Sequence, residues 1–137
     1  MVFEKFIEVG AVVYITLGHH KGKIAAIANV VDQNRILIDG PCTDVPRTVV
    51  NLKQVQLTKF KINIPWGYRT GGIKKIWEKE NMSAQWAETK WAKKIASKAV
   101  KASLTDFDRF KLMKIKQKRA KIINAEVKRL KKEAKSA

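Results

Sequence analysis

Gly18-His19-His20-Lys21-Gly22-Lys23 is the stretch of this chain whose residue types point most directly to chemistry. Gly18 and Gly22 take positive φ at no steric cost, which other residues do not. Lys21 and Lys23 flank Gly22, so a tight turn here presents two ammonium groups beside exposed backbone N–H groups. That arrangement suits a phosphate. The alternative is a hairpin turn with solvated lysines, and turn chemistry alone leaves both open. Nucleotide hydrolysis fails on spacing. A nucleotide-cradling loop needs four residues between its glycines and Ser or Thr after the Lys. Here three residues separate the glycines and Ile24 follows Lys23.

Other reactive constellations are weaker. Adjacent side chains such as His19 and His20 tend to point apart, and no nearby Cys or third His completes a metal site. Cys42 is the single cysteine, which excludes an internal disulfide or a cysteine zinc cluster and fits a reducing compartment. Asp32, Asp39 and Asp44 read as turn residues. Asp106 and Asp108 read as first-turn residues of a helix, where carboxylates favour the dipole. No Ser-His-Asp or Cys-His arrangement stands out. The residues therefore offer no supported catalytic or metal-binding constellation.

The elements that must carry the glycine loop are short and β-branched. Val12 to Leu17, Ile24 to Val31 and Ile36 to Ile38 are apolar runs separated by that loop and by Asp32-Gln33-Asn34, as in an antiparallel meander. Phe3, Phe6 and Val9 alternate loosely and can begin as an edge strand. Asp39-Gly40-Pro41 is a turn signal, so residues 40–46 read as a loop holding Cys42. Thr48 to Leu52 predicts a fourth strand, broken near Asn51. Val55 to Ile64 predicts a fifth. Five short strands in roughly 55 residues match a small SH3-like barrel by length.

Pro65 to Gly72 then breaks regular structure, and its aromatics with Arg69 read as a docking loop rather than a free linker. A short helix over about 73–79 follows, with Trp77 on one face. Ser83 is the expected N-cap of a helix to about Ala102, striped by Ala84, Ala87, Trp91, Ile95 and Ala99. Thr105 caps a last helix whose seam is Phe107, Phe110, Met113, Ala120, Ile123, Val127, Leu130 and Ala134. Trp77, Trp86 and Trp91 read as packing anchors, with base stacking as the minority reading.

Charge separates the two halves. The 137 residues carry a net charge of +17. Residues 1–65 hold 8 Lys/Arg and 5 Asp/Glu, whereas residues 66–137 hold 21 and 7. So large an excess of one sign repels itself unless a polyanion compensates it, and nucleic acid is the commonest polyanion. No run approaches the roughly 18 apolar residues that span a bilayer. The N-terminus is too short and too acidic for a signal peptide. An amphipathic membrane-surface helix is disfavoured by the Ala-rich apolar face. The expected division is 1–65 as the barrel, 66–82 as connecting loop and short helix, and 83–137 as a basic helical extension.

Candidate nucleic-acid-contacting residues follow from this. In the barrel they are Lys21, Gly22, Lys23, Arg47 and Lys53. In the connection they are Arg69, Lys74 and Lys75. In the extension they are Lys93, Lys94, Lys98, Arg109, Lys116, Lys118 and Arg119.

Glu8-Val9-Gly10 with the stretch from Gly18 to Pro41 resembles a KOW-type RNA-binding segment. Asn81 to Ile95, NMSAQWAETKWAKKI, and Leu104 to Arg119, LTDFDRFKLMKIKQKR, resemble the helical signature of the e-type ribosomal protein L fourteen family of the eukaryotic large subunit. The resemblance runs from about residue 3 to the C-terminus. The wider KOW pattern often has a second Gly where this chain has Ala25-Ala26. The resemblance implies an SH3-like barrel, extended helices, and a structural place on the large (60S) ribosomal subunit. It implies ribosomal RNA of that subunit and neighbouring ribosomal proteins as partners, and a cytoplasmic location on the ribosome with nucleolar transit during assembly. It also implies a protein that is not an enzyme and has no cofactor, no metal and no small-molecule substrate. The alternative is a free KOW-domain factor of transcription or translation that binds RNA transiently.

Overall fold

The structure is a computed structural model and describes residues 5–136. Phe3, and with it the start of the expected edge strand, lies outside the described residues. The described residues fall into two compact units, the first ending at Glu88 and the second beginning at Thr89.

The first unit is built on five antiparallel strands: β1 (Ala11–Ile15), β2 (Ile24–Val30), β3 (Arg35–Gly40), β4 (Val45–Asn51) and β5 (Val55–Lys61). Their order in the sheet is β4-β3-β2-β1-β5. The two edges are therefore consecutive in the chain, joined only by a 3-10 turn, Leu52–Gln54. Four strand spacings of a flat sheet measure about 19 Å. The four residue steps from Asn51 to Val55 reach at most about 14 Å. The sheet must wrap, and it does so as an SH3-like barrel that stays open, with no ladder between β4 and β5. Register shifts in three of its four strand pairings add the twist that wrapping needs.

Wrapping gives the sheet two cores. Val13, Ile15, Ala25, Ile27, Ile36, Ile38 and Val45 are buried together on one side. Val12, Ile24, Ala26, Ala28, Ile62 and Ile64 are buried on the other. Both faces of β2 are covered, so its sequence reads as a continuous apolar run rather than an alternation. Ala25 and Ala26 take one face each. Pro46 is tolerated because β4 is an edge strand and the β3–β4 register shifts beside it.

The second core is closed by helices. These are α1 (Thr70–Lys79) and α2 (Met82–Glu88), which bring in Ile73, Trp77 and Met82. The compact unit consequently runs past residue 65 to Glu88. Trp86 stacks on Tyr14, ring centroids 5.7 Å apart. Cys42 packs against the same core, and burial, then the charge of Glu78, raises its thiol pKa.

The second unit is α3 (Lys90–Ser103) and α4 (Asp106–Ser136). The single helix expected over 83–102 is two helices. Thr89 has extended backbone and its hydroxyl accepts from Ala92 N–H at 3.1 Å, which restarts the helix there. Ser83 is not the cap. Its Oγ accepts the Trp77 indole N–H at 2.9 Å. Thr105 does cap α4, accepting from Asp108 N–H at 3.3 Å. Two strand boundaries also differ: β3 continues to Gly40 and β4 begins at Val45, so the expected loop 40–46 shrinks to a four-residue turn.

Candidate nucleic-acid interface

The glycine loop takes the positive-φ turn its glycines predict, but its backbone N–H groups are not left exposed for a phosphate. Lys21 N–H donates to Gly18 O and Lys23 N–H to His20 O, both at 3.2 Å. Gly18 and Gly22 have φ of +98° and +91°. Gly22 N–H donates to Ile15 O at 2.8 Å, closing the loop onto β1. A Cβ on Gly22 would meet no atom, so the backbone conformation and not space is what requires glycine there. Lys21 is exposed at the tip. Lys23 is half-buried and leans across to the β3–β4 turn, donating to Asp44 O at 3.1 Å. Lys53 lies in the 3-10 turn, where its N–H donates to Asn51 Oδ1 at 2.9 Å. That turn is tied to the base of the glycine loop: Thr16 N–H and Thr16 Oγ1 both donate to Gln54 O at 2.8 Å. Lys21, Lys23 and Lys53 are thus brought to adjoining segments.

A second group forms at the start of α1. Asp39, read from sequence as a turn residue, is instead a fully buried member of β3. Its Oδ2 accepts from Arg47 Nε at 3.1 Å and from Thr70 Oγ1 at 2.6 Å. The Arg47 guanidinium also donates to the Tyr68 carbonyl. One carboxylate therefore joins the sheet, the loop before α1 and the first residue of α1, whose N-terminal dipole it also favours. Asp39 Oδ1 is buried without a protein partner. Arg47 is committed to this network. Arg69, Lys74 and Lys75 are exposed beside it on α1 and its N-cap, and Lys74 lies 3.9 Å from Glu78. The pairing of Asp39 with Arg47 was not visible in the sequence. Its only signal is an acid and a base eight positions apart across a turn.

In the second unit every named cation is exposed: Lys93, Lys94 and Lys98 on α3, and Arg109, Lys116, Lys118 and Arg119 on α4. Arg109 and Lys116, seven residues apart, line a groove between the two helices with Lys101, Leu104 and Leu112. Lys118 and Arg119 flank exposed Ile122 farther along. No described residue of α4 is buried, although Phe107, Ile115, Ile122 and Leu130 are large and apolar. A 31-residue helix of this kind extends about 46 Å. Lys111 sits 4.2 Å from the centre of the Phe107 ring, so cations overlie apolar surface as well as bordering it. Among the described residues, no group of three His, Cys, Asp or Glu is placed to hold a metal. No described helix is long and apolar enough to cross a membrane.

A wrapped five-stranded module with a lysine-flanked glycine turn, continued by cation-rich helices, defines a KOW-type protein with a basic extension. The KOW motif model matches residues 9–39, which hold β1, β2, most of β3 and the glycine loop. The model described as ribosomal protein L14 matches residues 46–120, from β4 into the middle of α4. The large ribosomal subunit protein eL14 of Schizosaccharomyces pombe is 41% identical over 125 residues, 91% of this chain and 93% of that protein. The eL14 of Lumbricus rubellus is 47% identical over 132 residues, 96% and 87% of the two chains. That of Tetrahymena thermophila is 48% identical over 122 residues, 88% and 95%. The chain belongs to the ribosomal protein L14 family.

Proposed function

We propose that this chain is a structural component of the large ribosomal subunit that binds ribosomal RNA and neighbouring ribosomal proteins. It is a non-catalytic protein of translation, as its family is. It works on cytoplasmic ribosomes and reaches them through the nucleolus during subunit assembly. The observation that carries this reading is α4: 31 residues, none of those described buried, dense in Lys and Arg yet bearing a run of large apolar side chains. A free protein gains nothing from such a helix. RNA phosphates neutralise its cations, and a neighbouring protein covers its apolar residues. The barrel contributes Lys21, Lys23 and Lys53 around the glycine loop, reading RNA shape and phosphates rather than sequence. Arg69, Lys74 and Lys75 add a second contact at α1. On α3 and α4 the cations at 93, 94, 98, 109, 116, 118 and 119 lie along RNA.

Sedimentation tests the reading. Tagged chain in cell extract should travel with large-subunit particles through a sucrose gradient and stay with them at moderate salt. A free KOW factor would wash to the top, because a few phosphate contacts are salt-sensitive. Crosslinks in the particle should reach RNA from Lys21, Lys53 and the cationic faces of α3 and α4. Crosslinks to protein alone would overturn the RNA assignment.

A further inference from the structure

We propose that Trp66 is an aromatic platform on which one unpaired base of a bound RNA stacks. The proposal rests on the RNA-binding reading above and adds a contact to a base, where the cations supply contacts to phosphate. Pro65 to Tyr68 is a β-turn, closed by Tyr68 N–H donating to Pro65 O at 3.3 Å. Gly67 has φ +68°, the left-handed value that the third position of a type II turn requires and that glycine takes without strain. Both ends of the turn are fastened. Ile64 is buried in the core before it, and the Tyr68 carbonyl holds the Arg47 guanidinium after it. The Tyr68 ring also fills the space above Gly72, where a Cβ would lie 2.2 Å from it.

Trp66 stands at the second position of this fastened turn and is 75% exposed. Packing explains Trp77 and Trp86, and Trp91 is less open than Trp66. Trp77 is buried, Trp86 stacks on Tyr14, and Trp91 is half-buried. Packing does not explain Trp66. An indole held on a rigid mount loses little freedom on binding, so more of its contact energy appears as affinity. The charge of the chain segment that carries it selects the occupant. From Lys59 to Trp77 the chain has five cations and no Asp or Glu. Lys61 meets Glu8 and Lys74 meets Glu78, but no ion pair engages Lys59, Arg69 or Lys75 among the described residues. An apolar protein pocket would cover the ring and leave those charges uncompensated. A nucleotide covers the ring with its base, whichever base it is, and brings phosphates to the cations.

The test uses the full chain with two RNAs, a hairpin carrying an unpaired loop and a blunt duplex of equal length, each titrated at several salt concentrations. W66A should weaken loop binding by roughly 5- to 150-fold, the range of one base stack. W66F should lose less, and duplex binding should not change. The salt slope of W66A should equal that of the wild type, since no phosphate contact is removed. In protein labelled with fluorotryptophan, the Trp66 resonance should shift with the loop RNA and not with the duplex. Wild-type affinity of W66A for the loop RNA overturns the proposal. So does equal weakening toward both RNAs, or a reduced salt slope. If wild type binds neither RNA, the RNA-binding reading falls and takes this one with it. Wild-type RNA binding by W66A together with loss from ribosomal particles would instead make Trp66 a protein contact.

Discussion

Arg47 shows how a residue's type and its job can part. By type it is a surface cation near a basic loop, a candidate for RNA contact, and type alone says nothing of a structural role. In the fold its guanidinium lies 3.1 Å from a carboxylate whose side chain is 1% exposed. Removing one partner of a buried pair leaves the other charge uncompensated, at a cost of about 3–5 kcal/mol. Arg47 itself is partly exposed, so R47A should sit at the low end, about 3 kcal/mol. For a unit of this size that lowers the melting temperature by more than about 10 °C. The double variant D39N/R47A should recover part of the loss, because no unpaired charge remains. Calorimetry that finds R47A melting with the wild type would show the network to be idle. The sequence hid this pair because its meeting depends on register. Ile38 faces Thr48, yet Gly40 faces Val45, and the extra residue between them aims Arg47 at Asp39. The glycine loop was legible because positive φ depends on local sterics that the residue type states directly. Asp32 is a second local case. Arg35 Nε at 2.8 Å, then the N–H of Asn34, hold its carboxyl below the ordinary value. The contribution is therefore complete above that ordinary value and disappears as pH falls through the lowered one. An NMR titration of Asp32 should give a midpoint below 3.8, and R35A should move it upward. An unchanged midpoint in R35A would remove the cause assigned here.

At the scale of elements, strands were easier to read than helix boundaries. The five strands are bounded by Gly, Pro and Asx turns, which act within a few residues. The break at Thr89 is different. Ala84, Ala87, Trp91 and Ile95 keep a helical stripe straight through it, so periodicity gave no reason to stop. Two tertiary demands break the stripe. Met82 is drawn into the core and Trp86 onto Tyr14, while Thr89 turns its hydroxyl back to start α3. Ser83, a good cap by type, is taken by the Trp77 indole. Two variants separate these roles. T89A removes a cap and should cost about 1 kcal/mol. The loss should be local, seen as faster amide exchange at Ala92 and its neighbours with the first unit unaffected. W77A empties a fully packed site in the first unit and should cost about 3–5 kcal/mol globally. Equal exchange at Ala92 in T89A and wild type would mean that the cap is not what restarts the helix.

The whole molecule divides its labour by charge. The wrapped sheet with α1 and α2 owns both apolar cores, so it can be stable by itself. The second unit has no described buried residue, carries much of the positive excess, and exposes Phe107, Ile115, Ile122 and Leu130. Sequence disclosed this asymmetry plainly, since charge counts need no register. It could not disclose which cations also have partners within the fold, as Lys23 and Arg47 do. The consequence can be measured as a salt dependence. Binding to RNA through six to ten phosphates loses about 10³–10⁵ in affinity between 50 and 200 mM salt. Full-length chain should fall in that range. A chain ending at Leu104 keeps the sheet and α3 but lacks α4, and its slope should drop by about half or more. K21A/K53A in the full chain should lower the slope by only about two phosphate contacts. Removal of α4 that left the slope unchanged would mean that its cations do not touch phosphate. The long helix would then have to be explained by protein neighbours alone, which would need to bring carboxylates to a surface now assigned to RNA.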